Sequence, residues 1–291
     1  MSGLKLEHLR TFLAVARFGS VSKAAEALHL TQPAVTSRIK ALEDSLRVAL
    51  FERTPAGMRL TKRGDMLVHY AEQFQHLDAL VQDNIVQEDG ANRLIRLGVS
   101  ETIAQGWLPD FIGALRAQFP ALKVEISVDI SLNLRDQLLG REVDLAILLG
   151  PVSDFTVDNL VLPDVPLGWF RAAGEAGPVD LATMPIATYA RNTRPFRELR
   201  SALFERFGPE VTLFPSSSLS SCFRMIEAGL AVGAMPVALA RPLVAAGRLA
   251  AFDPGWTPRP LQFSASWLAE PRNPLVERAA RIACTVAEGE T

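Results

Sequence analysis

Residues 12–53 read FLAVARFGSVSKAAEALHLTQPAVTSRIKALEDSLRVALFER, and this stretch decides the fold of the amino-terminal part of the chain. It predicts two short helices joined by a tight turn at His29 and Leu30. We expect Ser22 to cap the first helix and Thr31 to cap the second, because a hydroxyl at either position can accept a backbone N–H. Pro33 fits this prediction, since proline is tolerated in the first turn of a helix.

The second of these helices has two unlike faces. Apolar residues at helical spacing predict a buried stripe of Val35, Ile39, Leu42 and Leu46. Outside that stripe lie the hydrogen-bonding and cationic residues Gln32, Thr36, Ser37, Arg38 and Lys40. Ala24 and Ala25 are small enough for the two helices to approach closely. The pattern indicates a helix-turn-helix, whose second helix enters a DNA major groove, although an ordinary surface helical hairpin is the alternative.

Further residues at fixed spacings extend the pattern over about fifty positions, which makes it far more specific than a lone short motif. They are Phe12, Gly19-Ser20, Ala24-Ala25, Leu28, Gln32-Pro33-Ala34-Val35-Thr36, Leu42-Glu43, Leu46, Leu50-Phe51, Arg53, Leu60-Thr61 and Gly64. In these residues the chain resembles the LysR-type transcriptional regulators. One departure is Arg47, where that family usually has glycine, and a left-handed backbone there would cost roughly 1 kcal/mol.

Residues 53–61 (RTPAGMRLT) follow the helix-turn-helix and predict a short hairpin with Pro55 and Gly57 in its turn. Such a hairpin would be a wing, and its two arginines could reach phosphate or the minor groove. A solvated loop is the alternative. The expected DNA-binding residues of the head and wing are Ser22, Lys23, Gln32, Pro33, Thr36, Ser37, Arg38, Lys40, Arg53 and Arg59.

A long helix is predicted next, capped by Thr61 and running to about Val86. Its apolar residues follow 3-4 spacing and Asn84 continues the series, which is typical of a seam between paired helices. Packing on its own domain is the alternative. The resemblance implies a linker helix through which two subunits form a homodimer, with a homotetramer if the effector domains also associate. The expected dimerisation residues are Leu67, Tyr70, Phe74, Leu77 and Val81.

Charge and composition agree with these expectations. The net charge of −2 conceals eleven Lys or Arg against five Asp or Glu in residues 1–63, and six acids without a base in residues 64–90. A basic head is what phosphate neutralisation requires. The charged amino terminus, the lack of long apolar runs and the two widely separated cysteines predict a cytoplasmic protein without a membrane partner.

Beyond a polar break at residues 88–92, strands alternate with helices, which predicts parallel α/β sheets. The first helix of this region is expected over residues 102–119. Two such lobes joined by two crossovers resemble a periplasmic-binding-protein (type II) effector domain. The predicted fold class is thus α/β, with a helix-dominated winged helix-turn-helix at 1–61, a linker helix and hinge at 62–90, and a two-lobed effector domain at 91–291. The first lobe is expected to comprise 91–162 and 268–291, and the second 163–267.

Ligands of open α/β sheets bind beyond the carboxyl ends of strands, where helix N-termini present free N–H groups. Hydroxyls and one arginine follow predicted strands, so a small carboxylate is the expected effector, although these hydroxyls could simply cap their helices. Glu101 argues against an anion site unless its side chain points away. The expected effector-binding residues are Ser100, Thr102, Ser131, Arg191 and Ser218.

An enzyme is the main alternative class. All four histidines lie before residue 90 and Lys123 is the only lysine after it, so a Ser-His-Asp triad or a histidine-ligated metal cannot be built in the α/β region. There is no P-loop or dinucleotide-binding glycine motif, and no cofactor is expected. A solute-binding protein is disfavoured by the DNA-reading head. With these classes disfavoured, the resemblance to LysR-type regulators implies a protein that binds double-stranded DNA at an interrupted dyad and senses a small molecule, here expected to be an organic acid.

Overall fold

The computed structural model describes residues 4–54, 57–81, 94–175 and 177–289. The chain divides into two compact units, Met1–Asp89 and Gly90–Thr291. Across the described ranges, no helix is both long enough and apolar enough to cross a membrane. The predicted hinge at 88–92 and the predicted end of the linker helix, including Asn84, lie outside those ranges.

The first unit contains three helices, a two-stranded sheet and a longer fourth helix. These elements are α1 (Leu6–Phe18), α2 (Val21–Ala27), α3 (Gln32–Leu46), β1 (Phe51–Thr54), β2 (Gly57–Leu60) and α4 (Lys62–Val81). The core combines the predicted stripe of α3 with side chains of α1 and α2. It comprises Phe12, Val15, Ala24, Ala25, Val35, Ile39 and Leu42, with Leu46 partly buried beside them.

Helix starts in this unit follow local hydrogen bonding. Thr31 caps α3 as predicted, because its Oγ1 accepts the Ala34 N–H at 3.4 Å. The predicted cap of α2 is wrong: Ser20 is the capping residue, and its Oγ accepts the Lys23 N–H at 3.4 Å. Ser20 has the extended backbone that the cap position requires, with φ −150°, whereas Ser22 already lies within the helix.

Helix α3 ends in a left-handed residue, although that residue is Arg47 and not glycine. Its φ of 57° and ψ of 33° are those of the left-handed region, and its N–H donates to the Glu43 carbonyl. A side chain in this conformation costs roughly 1 kcal/mol, so the departure from the family pattern leaves the turn intact at the expense of stability.

The second unit begins with β3 (Leu94–Val99), α5 (Glu101–Gln105), α6 (Leu108–Gln118), β4 (Lys123–Val128), α7 (Ser131–Leu139), β5 (Leu145–Leu149) and β6 (Val157–Val161). It continues with β7 (Leu167–Ala172), β8 (Ile186–Tyr189), α8 (Arg194–Phe207), β9 (Leu213–Ser216), α9 (Leu219–Glu227), β10 (Val232–Pro236), α10 (Val237–Ala245) and β11 (Leu249–Phe252). It closes with β12 (Phe263–Leu268) and α11 (Pro274–Gly289).

The strands of the second unit form two five-stranded sheets, one in each lobe. The first lobe has the order β4-β3-β5-β12-β6, and the second has the order β11-β7-β10-β8-β9. Both sheets are mixed, and not wholly parallel as predicted. In the first lobe, β12 runs antiparallel to β5 and β6. In the second lobe, β7 runs antiparallel to β10 and β11.

The returning strand β12 corrects the predicted limit between the lobes. The apolar stretch Leu261–Leu268 is expected to return to the first lobe, and its strand β12 does pair there with β5 and β6, so only the predicted limit at residue 267 is wrong. The strand is buried there, with Phe263 2% exposed and Ala265 fully buried. Val165 and Leu261, one on each crossover, form an antiparallel bridge just before this strand. The second crossover therefore ends before β12.

The single helix predicted over residues 102–119 is two helices, α5 and α6, separated at Gly106 and Trp107. Pro109 lies in the first turn of α6. Proline has no N–H and its ring clashes with the carbonyl four residues earlier, so α5 cannot continue through it. The break leaves α5 as a separate short helix directly after β3.

Candidate functional site

The second helix of the helix-turn-helix presents a polar face at its amino-terminal end. Gln32, Thr36, Ser37 and Lys40 are exposed, as is Pro33. The opposite face, with Val35 and Leu42 fully buried, packs in the core of the unit. Side chains at the start of such a helix are those that reach base edges in a major groove.

Residues of α2 extend this polar face. The Gln32 side-chain amide donates to Ser22 Oγ at 3.0 Å, and both side chains are exposed. This hydrogen bond restrains the Gln32 side-chain rotamer in the absence of DNA. Lys23, also exposed, adds a positive charge beside the pair. The α2–α3 turn therefore offers a prearranged amide and an adjacent cation.

Arg38, also predicted to bind DNA, is part-exposed and paired with residues of α1. Its guanidinium lies 3.0 Å from the Glu7 carboxylate and donates to Thr11 Oγ1 at 3.5 Å. Thr11 is fully buried and donates to the Glu7 carbonyl. Arg38 flanks the buried stripe of α3, so an acid on α1 draws its side chain inward. It ties α3 to α1.

The wing forms as predicted, and two contacts hold it against the rest of the unit. The first is the close approach of Gly57 to Gly19, and the second is made by Glu43. Phe51 pairs with Leu60, and the register continues to the pair of Thr54 and Gly57. A Cβ atom at Gly57 would lie 2.5 Å from the Gly19 carbonyl oxygen, so the residue must be glycine for this approach.

The second fastening is Glu43, whose role sequence reasoning missed although it belongs to the quoted Leu42-Glu43 motif. Its Oε1 accepts the N–H groups of Leu50 at 2.7 Å and of Phe51 at 3.3 Å. The carboxylate therefore holds the first strand of the wing against α3.

Of the two wing arginines predicted to contact DNA, Arg59 is 76% exposed and lies 3.6 Å from Glu52. The side chain of Arg53 lies outside the described part of the chain.

Helix α4 carries an exposed apolar stripe, which consists of Met66, Tyr70, Phe74, Leu77 and Val81, each between 42% and 55% exposed. Four of these residues were predicted. The fifth predicted residue, Leu67, is corrected: it packs against the core of its own unit together with Val68 and Ala71. On a helix these three lie on the face that α4 turns towards α1, whereas Met66 lies on the outer face.

In the second unit, a cavity of about 310 Å³ lies between the two lobes. It is bordered by residues that directly follow β3 and β4 and by the ends of β8 and β9, as expected for a ligand site of open sheets. Four of the five predicted effector-binding residues line it: Ser100, Thr102, Ser131 and Ser218.

Arg191, the fifth, does not line this cavity, and that assignment is corrected. It lies in an exposed turn after β8 and is not among the residues that line the cavity. The charged residues in the lining are Glu101 and Asp129. Asp129 accepts the Ile130 N–H at 2.7 Å and the Asn133 amide at 2.9 Å, so its carboxylate is bound to the start of α7.

The hydroxyls of the cavity differ in their hydrogen bonding. Ser218 caps α9 by accepting the Ser221 N–H at 3.3 Å, and Ser131 Oγ accepts the Leu149 N–H at 2.9 Å. Ser100 was also expected to be a cap, yet its side chain makes no capping bond. Its Oγ has no partner within the described residues although Ser100 is only 7% exposed.

Two further lining residues bear on the site: Tyr189, which the sequence did not indicate, and Glu101, whose side-chain direction decides whether an anion can bind. Tyr189, at the end of β8, has a buried hydroxyl without a partner in the described ranges, and burial raises the pKa of that phenol. Glu101 reaches the second lobe, where its Oε2 accepts the Leu219 N–H at 2.7 Å. Glu101 was expected to oppose an anion site unless it pointed away, and it points at the start of α9.

Two family models match the chain, one over each unit. The model of the bacterial regulatory helix-turn-helix protein, lysR family, matches residues 6–65, and that of the LysR substrate binding domain matches residues 88–285. HTH-type transcriptional regulator YofA of Bacillus velezensis is 31% identical over 233 residues, 80% of this chain and 81% of that protein. HTH-type transcriptional activator AmpR of Rhodobacter capsulatus is 31% identical over 261 residues, 85% of each chain.

Solved structures agree on the fold. Full-length CbnR in complex with its target DNA has a TM-score of 0.69 at 20% identity, covering 97% of this chain and 100% of that chain. ArgP from Mycobacterium tuberculosis also has a TM-score of 0.69, at 18% identity, with 99% and 98% covered.

Taken together, the winged head and the two-lobed α/β unit define a DNA-binding transcription regulator with an effector-binding domain. The chain belongs to the LysR family of transcriptional regulators. The predicted family and fold class are thereby confirmed, and the chain is a regulator and not an enzyme.

Proposed function

We propose that this regulator reads an interrupted dyad operator with the exposed amino-terminal face of α3, one half-site per head. The observation that carries this proposal is the polar surface of Gln32, Thr36 and Ser37 opposite a buried apolar stripe. Glutamine can pair bidentately with adenine in the major groove. Lys23 and Lys40 flank this surface and supply phosphate contacts, and Arg59 does so from the wing. A protein that binds operator DNA must have access to it, which supports a cytoplasmic location.

Each segment of the chain has its own function in this regulator. Residues 1–61 bind DNA, residues 62–90 dimerise, and residues 91–291 bind the effector. Helix α4 supports the dimer, because a stripe of large apolar side chains half exposed to water is stabilised by a second copy of the same helix. Association of effector domains would then give a homotetramer with four heads.

The effector that we propose is a small organic acid bound between the lobes. Ser100 supplies a hydroxyl without a partner of its own among the described residues, and Thr102, Ser131 and Ser218 supply further hydroxyls at the same cavity. The volume of about 310 Å³ suits a small ligand. A ligand that touches both lobes favours one lobe orientation, and only such a difference in affinity can shift the population of states.

Base reading and phosphate binding are separated by two variants. Gln32→Ala should weaken binding to the cognate operator by about 1–3 kcal/mol and leave binding to unrelated DNA nearly unchanged. Lys40→Ala, the matched control on the same face of α3, should weaken both and reduce the salt dependence. Fluorescence anisotropy with both DNA sequences at several salt concentrations measures this. Equal losses on the two sequences for Gln32→Ala would rule out base reading by this residue.

A further inference from the structure

A carboxylate of the first lobe is bound to a helix of the second lobe across the cavity. Glu101 Oε2 accepts the Leu219 N–H at 2.7 Å, and Oε1 accepts the Ser218 hydroxyl at 3.3 Å. Gln105, one turn further along α5, donates to Glu101 Oε1 at 2.7 Å and to Ser220 Oγ at 2.9 Å. Two residues of α5 thus connect the lobes through hydrogen bonds.

The Glu101 carboxylate lies at the N-terminus of α9, where a helix binds anions. The first N–H groups of a helix have no partner within the helix, and the helix dipole favours negative charge there. Helix α9 has nine residues and begins at Leu219, so Glu101 occupies its anion-binding end. A ligand carboxylate at this end would need the same two donors that Glu101 already uses.

A second observation indicates that the cavity is built for a ligand. Ser100 is 7% exposed, lines the same cavity, and has an Oγ without a hydrogen-bond partner in the described part of the chain. A buried hydroxyl left unpaired is unfavourable, so polar groups of this kind are normally paired in native proteins. A ligand between the lobes would supply the missing partner beside Glu101.

We propose that Glu101 is an internal substitute for the effector carboxylate, a latch that holds the lobes together until a small monocarboxylate displaces it from α9. This inference rests on the proposed effector site and specifies how that site is regulated. A free carboxylate at α9 is not attached to α5, so displacement leaves Gln105 bound to Ser220 and fewer hydrogen bonds hold the lobes in one orientation.

The charges of the cavity select a monoanion. Within the described part of the chain its lining contains no lysine or arginine, and its other carboxylate, Asp129, is bound to the start of α7. The donors available to a ligand are therefore neutral hydroxyls and backbone N–H groups. These stabilise one negative charge at a helix N-terminus, whereas a second ligand charge would face Asp129 and the displaced Glu101 without a counterion.

Amide hydrogen exchange of the full-length protein, without DNA or effector, tests the latch. Glu101→Ala should speed exchange of the Leu219 amide by roughly tenfold or more, because a hydrogen bond to a charged acceptor is lost. Sodium acetate, used as the free carboxylate, should restore slow exchange in this variant, whereas sodium chloride at equal ionic strength should not. Glu125→Ala removes an exposed acid of the same lobe outside the cavity and should change nothing.

Unchanged Leu219 exchange in Glu101→Ala would overturn the latch. Faster exchange that acetate does not reverse would overturn the assignment of a free carboxylate to this position. If Glu101→Ala does not fold, Glu101→Gln keeps an oxygen acceptor without the charge and should give a smaller, acetate-reversible increase. Operator binding by the wild-type protein is measured separately, so its failure would refute the proposed function and leave the latch result standing.

Discussion

The exposed stripe of α4 allows a quantitative prediction about assembly. Phe74 is 47% exposed. A phenylalanine side chain presents about 200 Å² when free, so about 90 Å² remains for a partner helix to cover. At about 25 cal/mol per Å², this corresponds to about 2 kcal/mol per subunit, or about 4 kcal/mol for a symmetric pair. Phe74→Ala should therefore raise the dissociation constant of the α4 dimer roughly a thousandfold.

Phe74→Glu should have a larger effect, because it also places like charges on facing helices. Sedimentation equilibrium of residues 1–89, a compact unit with its own core, measures the dissociation constant without contributions from the effector domain. Gln75→Glu is the matched control, since it adds the same charge at an exposed position on another face of α4. A Phe74→Glu fragment that remains dimeric would show that the stripe is not the dimer contact.

Two further predictions concern the stability of the head. Arg47→Gly should raise the free energy of unfolding by about 1 kcal/mol in urea denaturation, because glycine adopts the left-handed turn without strain. The control variant Arg47→Ala should not raise it. Equal effects of the two variants would mean that the charge of Arg47, and not backbone strain, matters. Glu43→Ala should destabilise it by about 1–3 kcal/mol, because the buried Leu50 N–H loses its acceptor. Asp44→Ala, a neighbouring exposed acid, is its control, and similar losses in both variants would argue against the described fastening of the wing.

The head could be predicted from sequence in most of its detail because its signals are local. The Thr31 cap, the α3 stripe and the wing register depend on residues a few positions apart. One error there is local, because Ser20 and not Ser22 caps α2. Other details of the head depend on tertiary contacts. Arg38 lies at the edge of the stripe and turns inward because Glu7 is nearby in space, and Leu67 lies one residue away from the outer face of α4.

The α/β unit was harder to predict because its decisive contacts are distant in sequence. Alternating strands and helices predicted the lobes, but the pairing of β12 with β5 joins residues more than a hundred positions apart. The hydroxyls that follow β3 and β4 could be found from the general rule for open sheets. The contact of Glu101 with Leu219 could not, because nothing local indicates which helix a side chain reaches across a cavity.

A nuclease footprint of the full-length protein on its own operator shows whether its heads read two half-sites and whether a ligand between the lobes changes that binding. It should be recorded without ligand and at saturation with an organic acid identified by thermal shift, since a ligand that binds the folded state raises its melting temperature. We expect two protected half-sites an integral number of helical turns apart, each turn about 10.5 base pairs, and a change in protection when the ligand binds. Protection of a single half-site, or an identical footprint with the cavity saturated, would contradict this expectation.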